Sequence, residues 1–383
     1  MSKAVNRHLD DGLPTPVVEQ RGPRSDVIKL FAALVTGKLV VFFTALCAYG
    51  AANFLYDMST RWDSAWFLAI ANSGYTAPNV LVSSPYEHTI LFPNDFAFPP
   101  FFPALIKGLT FLTGTGWVSA LLLVNALSFV FPYLVYRTFG FRVALLAELF
   151  PLFLVYTTIP YSESLTLLFL ALAILLAVRS RVLTSSGSLT FAILSAYGLA
   201  LTLPSFSLAF IRKYRLRTLL FFVLPLLGGV LILAWYQFVS GSYWTYFTVE
   251  STHWHVSSGY PWDQATWLLE TAKHSLGYWP FPGGWMTRNL PFEAFYIFGA
   301  VYLLRAKTEN RVFLAAYSLS VVLPLLFVVG GPALSVPRLM LPAFPVFVGY
   351  AFFIRGRYLW LYAGVCLSLT VWVALSQLTF FFA

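Results

Sequence analysis

Apolar positions in this chain do not alternate with polar ones. They run in long unbroken stretches, separated by short basic turns and by two long aromatic loops. Stretches of that kind read as helices buried in lipid, whereas a transmembrane barrel would show short alternating strands. The pattern predicts helices at about 27–52, 117–137, 142–159, 164–179, 188–202, 203–212, 217–240, 291–305, 311–330, 337–354 and 358–380. The expected fold is an all-α polytopic membrane protein of about 11 transmembrane helices. The pair 188–202 and 203–212 is short for spanning and has Pro204 between its halves, so it reads as a hairpin that does not fully cross. Phe101 to Leu112 reads as an interfacial helix, broken at its start by Pro99, Pro100 and Pro103.

Charge supports the same picture. Only 10% of residues are charged, against about 25% in a soluble domain. The net charge is +9, yet the basic residues cluster in short turns: Arg137 and Arg142, Arg179 and Arg181, Arg212 to Arg217, Arg305 to Arg311, Arg355 and Arg357. The positive-inside rule puts these turns in the cytoplasm, with the N-terminus inside and the C-terminus outside. The loops 53–116 and 241–290 then lie on the extracytoplasmic side, and nucleic acid is not an expected partner. Residues 1–26 read as a disordered cytoplasmic tail ahead of a single transmembrane domain over 27–383. Cys47 and Cys366 both fall in apolar segments, which argues against a disulfide or a zinc site. No internal repeat is visible, so an inverted-repeat transporter gains no support.

Few residues are left to carry chemistry. Asp63 opens a short amphiphilic segment, Arg61-Trp62-Asp63-Ser64-Ala65-Trp66, at the outer lip of the first span. A carboxylate there suits a general base acting on a lipid-carried substrate, and it equally suits the start of a helix. Glu163 follows Pro160-Tyr161-Ser162 at the start of another span, where capping and chemistry are again both open. Arg338, in an otherwise apolar outer turn, fits the phosphate of a lipid phosphate; the bland reading is an interfacial arginine. Lys38 falls near the middle of the first span, where a charge costs about 2.5–3.5 kcal/mol on insertion scales. Pairing with Glu148 or Glu163 competes there with substrate contact. His253 and His255 flank Trp254 in the second loop. His-x-His can ligate metal, but no third ligand is near in sequence, so hydrogen bonding to phosphate or sugar is the expected role.

Four stretches in order along the chain carry a resemblance. Arg61-Trp62-Asp63 with Gly74-Tyr75 is similar to an Arg-Trp-Asp…Gly-Tyr first-loop motif. Phe96-Ala97-Phe98-Pro99-Pro100-Phe101-Phe102-Pro103 resembles a Phe-Phe-Pro-x-x-Pro element. Tyr161-Ser162-Glu163-Ser164 matches a Tyr-Ser-Glu-Ser helix start. Ser335-Val336-Pro337-Arg338 with Phe344-Pro345 resembles a late Ser-x-x-Arg-Tyr…Phe-Pro element, with Leu339 in place of the tyrosine. The family they resemble is the PIG-V group of GPI mannosyltransferases, in its bacterial and archaeal branch, within the multi-spanning GT-C glycosyltransferases. Two departures stand out. Leu203-Pro204 lacks the family's arginine, and Thr76 to Asn94 is an insertion in the first loop.

The resemblance implies a GT-C-type bundle with two long extracytoplasmic loops and an inverting transfer of mannose. The donor would be a dolichyl or polyprenyl phosphate, and the acceptor a lipid-linked sugar, a glycolipid or a surface protein. Asp63 would be the base, and Arg338 would hold the donor phosphate with help from His253 or His255. Arg61, Trp62, Tyr161, Glu163 and Lys38 are the further candidates for substrate contact. No cofactor is implied, and a divalent cation stays open. The expected location is the plasma membrane of a prokaryote or the endoplasmic reticulum of a eukaryote, with the site outside the cytoplasm. A lipid-substrate transporter or flippase is the alternative; it needs no base and would tolerate Asp63→Asn.

Overall fold

The computed structural model describes residues 24–75, 80–82, 90–92, 95–214, 218–252, 254–274, 284–306, 308–330 and 335–380. Residues 1–23 of the expected tail, and His253, lie outside the described residues. The chain is a polytopic helical membrane protein. Helix α1 (Arg24–Tyr49) begins inside the stretch expected to be tail. It leads into the first loop, with α2 (Phe54–Ser59), α3 (Asp63–Ser73), a small antiparallel pair β1 (Val80–Val82) and β2 (Ile90–Phe92), and α4 (Phe101–Thr113). A helix is therefore present at the place expected for one, 101–112, and the inserted stretch 76–94 contains the antiparallel β1–β2 ladder.

Helix α5 (Gly116–Phe139) ends at Gly140, whose φ of 89° lets the chain reverse. The span expected over 142–159 is broken instead. It forms α6 (Phe141–Glu148) and α7 (Pro151–Tyr156), because Pro151 cannot donate to the preceding turn and takes the first helical position. Helix α8 (Glu163–Val178) folds back against α9 (Val182–Ser195), which starts six residues before its expected place. Serines make that early start possible in an apolar setting. The Ser185 hydroxyl donates to Ala173 O at 2.8 Å and the Ser186 hydroxyl to Phe221 O at 2.5 Å, so the polar turn is satisfied between helices. The break expected at Pro204 lies earlier: the chain turns at the extended Ala196, and a 3-10 turn (Tyr197–Thr202) runs on into α10 (Leu203–Tyr214).

Helix α11 (Leu220–Ser240) leads to the second loop, with α12 (Thr245–Thr252), β3 (Ser257–Ser258) and α13 (Pro261–His274). Then come α14 (Gly284–Leu303) and α15 (Arg311–Leu325), the latter ending just after Pro324. Strand β4 (Val328–Val329) pairs antiparallel with β3. The span expected over 337–354 is also broken, by Pro337, Pro342 and Pro345, into α16 (Val336–Leu339), a 3-10 turn and α17 (Val346–Tyr350). Helix α18 (Arg357–Phe380) closes the bundle.

Among the described residues four helices, α1, α5, α11 and α18, are long and apolar enough to cross a membrane, with mean hydropathy of 1.8 to 2.1. Their outward side chains are apolar rather than charged: Leu226, Val230 and Leu231 of α11 are each about 60% exposed. That surface is stable only against lipid. Helix direction separates two ends of the bundle. Arg24, Arg137, Arg179 and Arg357 terminate α1, α5, α8 and α18 at one end. The Arg142 guanidinium donates to Ala351 O at 3.1 Å at that same end. Tyr49, Asp63, Glu163 and Gln377 lie at the other.

Candidate active site

Asp63 is the first residue of α3. Its predecessor Trp62 sits at φ 52°, a conformation that L-residues avoid, and its indole N–H donates to Gln377 O of α18 at 3.0 Å. The turn is therefore held by tertiary contacts and not by local preference. Neither Trp62 nor Ser162 makes a side-chain capping bond to the helix that follows it. The two carboxylates that open these helices instead share one partner.

That partner is Arg338, on the single turn of α16. Its Nη1 donates to Asp63 Oδ2 at 2.5 Å, and its Nε lies 3.3 Å from Glu163 Oε1. The three side chains are 12–16% exposed, so the group is shielded but reachable. Two carboxylates around one guanidinium carry a formal charge of −1. Beneath the guanidinium lie two stacked tyrosines: Tyr156 and Tyr161 are 5.4 Å apart with planes 16° from parallel. The Arg338 carbon sits 5.0 Å from the Tyr161 ring centre and 5.6 Å from that of Tyr156, a cation–π arrangement.

Gln377 ties this platform together, and sequence reasoning missed it. Its amide donates to the Tyr161 hydroxyl at 2.7 Å and accepts from the Tyr156 hydroxyl at 3.1 Å. The signal was present as a lone amide within the last apolar stretch, 1% exposed in the fold. Replacing it by leucine removes both bonds with little change of volume. Gln377→Leu is expected to lower stability by about 1–3 kcal/mol, read by thermal unfolding in detergent, and to reduce activity through a looser Arg338.

The other candidates separate. Arg61 points to α1 and α18: it lies 4.4 Å over the Tyr49 ring and donates to Leu378 O at 3.4 Å. Lys38 pairs with neither Glu148 nor Glu163; it is buried among Asn125, Thr157 and Thr158. His255 is exposed at φ 52°, beside the β3–β4 pairing, and no described contact links its ring to Arg338. Among the described residues no group of three or more His, Cys, Asp or Glu is arranged to hold a metal ion.

The second loop closes over the first. Trp254 meets Trp66 and Phe98 edge-on, at 6.3 and 5.7 Å between ring centres. This brings Glu250 of α12 within electrostatic reach of Asp63. Burial pushes the Glu250 carboxyl up to about 7, a hydrogen bond from Tyr246 opposes the rise, and the Asp63 charge adds to it. A folded-state value above the ordinary 4.5 means the folded protein holds a proton that the unfolded chain has lost. The associated stability is present at low pH and is lost as pH rises through about 7. The melting temperature of Glu250→Gln should therefore rise relative to the wild type as pH is taken from 5 to 8. A constant difference over that range would contradict the assignment.

Comparison with solved structures adds the fold. ArnT from Cupriavidus metallidurans bound to undecaprenyl phosphate is similar over 91% of this chain, with 16% identity and a TM-score of 0.52. The apo state of the same protein is similar over 92%, with 15% identity and a TM-score of 0.51. The present chain has the fold of those ArnT structures. It spans 64% of the length of those structures. No family model matches the sequence and no curated protein matches it, so the PIG-V likeness rests on the four motifs alone.

Proposed function

We propose that the protein is an inverting membrane glycosyltransferase that moves a sugar from a polyprenyl- or dolichyl-phosphate donor to a hydroxyl on a lipid-linked, glycolipid or protein acceptor. The observation that carries the reading is the Asp63–Arg338–Glu163 group at one end of a GT-C fold. Mannose is the proposed sugar, on the strength of the PIG-V-like motifs.

The chemistry follows from charge. The acceptor oxygen attacks the anomeric carbon from the face opposite the phosphate. The bond from that carbon to the phosphate oxygen breaks, its electron pair stays on the phosphate, and the acceptor proton passes to Asp63. The donor phosphodiester carries one negative charge, and the released monoester approaches two. A guanidinium at the phosphate therefore binds the transition state better than the ground state, which is the condition for lowering the barrier. In the resting protein Arg338 is occupied by Asp63. An arriving phosphate competes for the guanidinium, and Asp63 is freed to face the acceptor hydroxyl when the donor is in place. Donor-first binding is the natural order.

The bundle also bears on the side of the membrane. The arginines cluster at the end opposite Asp63, which the positive-inside rule assigns to the cytoplasm. This supports an extracytoplasmic site.

The test is transfer of radiolabelled sugar from dolichyl-phosphate mannose by purified protein in lipid nanodiscs, with a membrane lipid extract as acceptor. Labelled product that depends on the protein supports the reading. Donor binding with movement across the bilayer but no transfer would favour a flippase.

A further inference from the structure

A helix leaves its last carbonyls without partners, and at membrane depth no water replaces them. The residues after α7 face this problem where the site is built. Thr157, Thr158 and Pro160 are all buried. Each of their carbonyls is taken by a side chain from a different element. Lys38 Nζ of α1 donates to Thr157 O at 2.7 Å, Asn125 Nδ2 of α5 to Thr158 O at 3.0 Å, and Ser64 Oγ of α3 to Pro160 O at 3.1 Å. Ser164 of α8 adds a longer bond to Thr157 O at 3.4 Å. Lys38 completes its set with Asn125 Oδ1 at 2.8 Å and the Thr158 hydroxyl at 3.3 Å. An ammonium has three donors, so none is left over. The side chain is 4% exposed. A few residues further on, the same turn presents the Tyr161 ring and the Glu163 carboxylate to Arg338.

We propose that Lys38 is a positioning residue: from the middle of the first span it holds the 157–163 turn, and through Tyr161 and Glu163 it sets Arg338 against Asp63. The catalytic part of this inference rests on the transferase reading above; the structural part does not. Lysine fits the task because one atom must meet three acceptors drawn from two elements. An apolar side chain at this position would leave a buried carbonyl and a half-buried amide oxygen short of a donor.

The test uses the full chain in nanodiscs and compares wild type with Lys38→Met, which keeps the stem and loses the donors. Asn125→Leu serves as the second variant and Lys38→Arg as the conservative one. Hydrogen exchange is read over 157–166, and kcat and KM are read with the polyprenyl-phosphate donor. In Lys38→Met, exchange in 157–166 should accelerate by about tenfold or more while the other spanning segments keep their protection. Transfer should lose about 10- to 100-fold in kcat with donor KM within about threefold, because misalignment near 1 Å harms chemistry more than lipid binding. Asn125→Leu should act in the same direction, and Lys38→Arg should recover part of kcat.

Unchanged exchange over 157–166 overturns the proposal. So does donor KM rising with kcat intact, which would make Lys38 a substrate contact. A loss of protection spread evenly over every span in both variants would reduce Lys38 to general stability and overturn it too. If the wild type transfers no sugar, the transferase reading fails alone, and the exchange measurement still decides whether Lys38 holds the turn.

Discussion

Asp63→Asn is expected to reduce sugar transfer by about 10³-fold or more, near the upper range for loss of a general base, while the purified protein still binds the donor. The substitution changes almost nothing but the proton chemistry. Asparagine has the same shape and still offers an oxygen to Arg338, so the contact can persist as a hydrogen bond from the charged guanidinium to a neutral amide oxygen. The α3 start survives too, because Trp62 is held by Gln377 and not by the carboxylate. The loss of a negative charge leaves Arg338 less occupied. Donor affinity should then stay equal or increase, and that separates a missing base from a damaged site. The check is transfer of labelled sugar and equilibrium donor binding on the same preparations. Turnover within about tenfold of wild type would remove Asp63 as the base, and undiminished lipid movement in a protein that never transfers would make it a flippase.

The motif residues and the helical class were legible in the sequence; the couplings between them were not. Long apolar runs fixed α5, α8 and α18 to within a few residues, because hydrophobic length and flanking arginines both mark their ends. The spans that failed, 142–159 and 337–354, are the ones where Pro151, Pro337, Pro342 and Pro345 break apolar runs whose composition alone still reads as continuous. Asp63, Glu163 and Arg338 each stood out as a charge where apolar residues dominate. That the first two converge on the third, 275 residues from Asp63, is a fact of packing that no local periodicity encodes. Lys38 shows the same limit. Its position called for a partner, and the obvious partners were the carboxylates Glu148 and Glu163. The fold supplied carbonyl and amide oxygens instead, which neighbouring helices bring together and a sequence does not advertise. Gln377 was hidden for a simpler reason: a single amide in a span is a weak signal until two tyrosine hydroxyls are seen on either side of it.

Arg338→Ala should be the second most damaging substitution, and its damage has two separable parts. The first is the donor. Charge-assisted hydrogen bonds contribute about 1.5–3 kcal/mol, so affinity for a polyprenyl phosphate should fall by about 10- to 100-fold. Lysine should not restore it fully, because the planar fork that meets Asp63 and Glu163 at once is lost. The second part is the protein itself. Removing the cation leaves two shielded carboxylates facing each other, so one takes up a proton and stability falls by about 1–3 kcal/mol. Asp63 also loses the contact that aims it, so kcat drops even where donor is saturating. The double variant Arg338→Ala/Glu163→Gln pulls the parts apart. It removes the like charge, so melting temperature should return most of the way to wild type, while donor affinity stays low because no guanidinium has been restored. Donor affinity equal to wild type in Arg338→Ala would take the phosphate role away from Arg338. Affinity that recovers in the double variant would mean the arginine serves to neutralise the carboxylates and nothing more. Weak donor binding in a protein as stable as the wild type is the result that assigns the phosphate to Arg338.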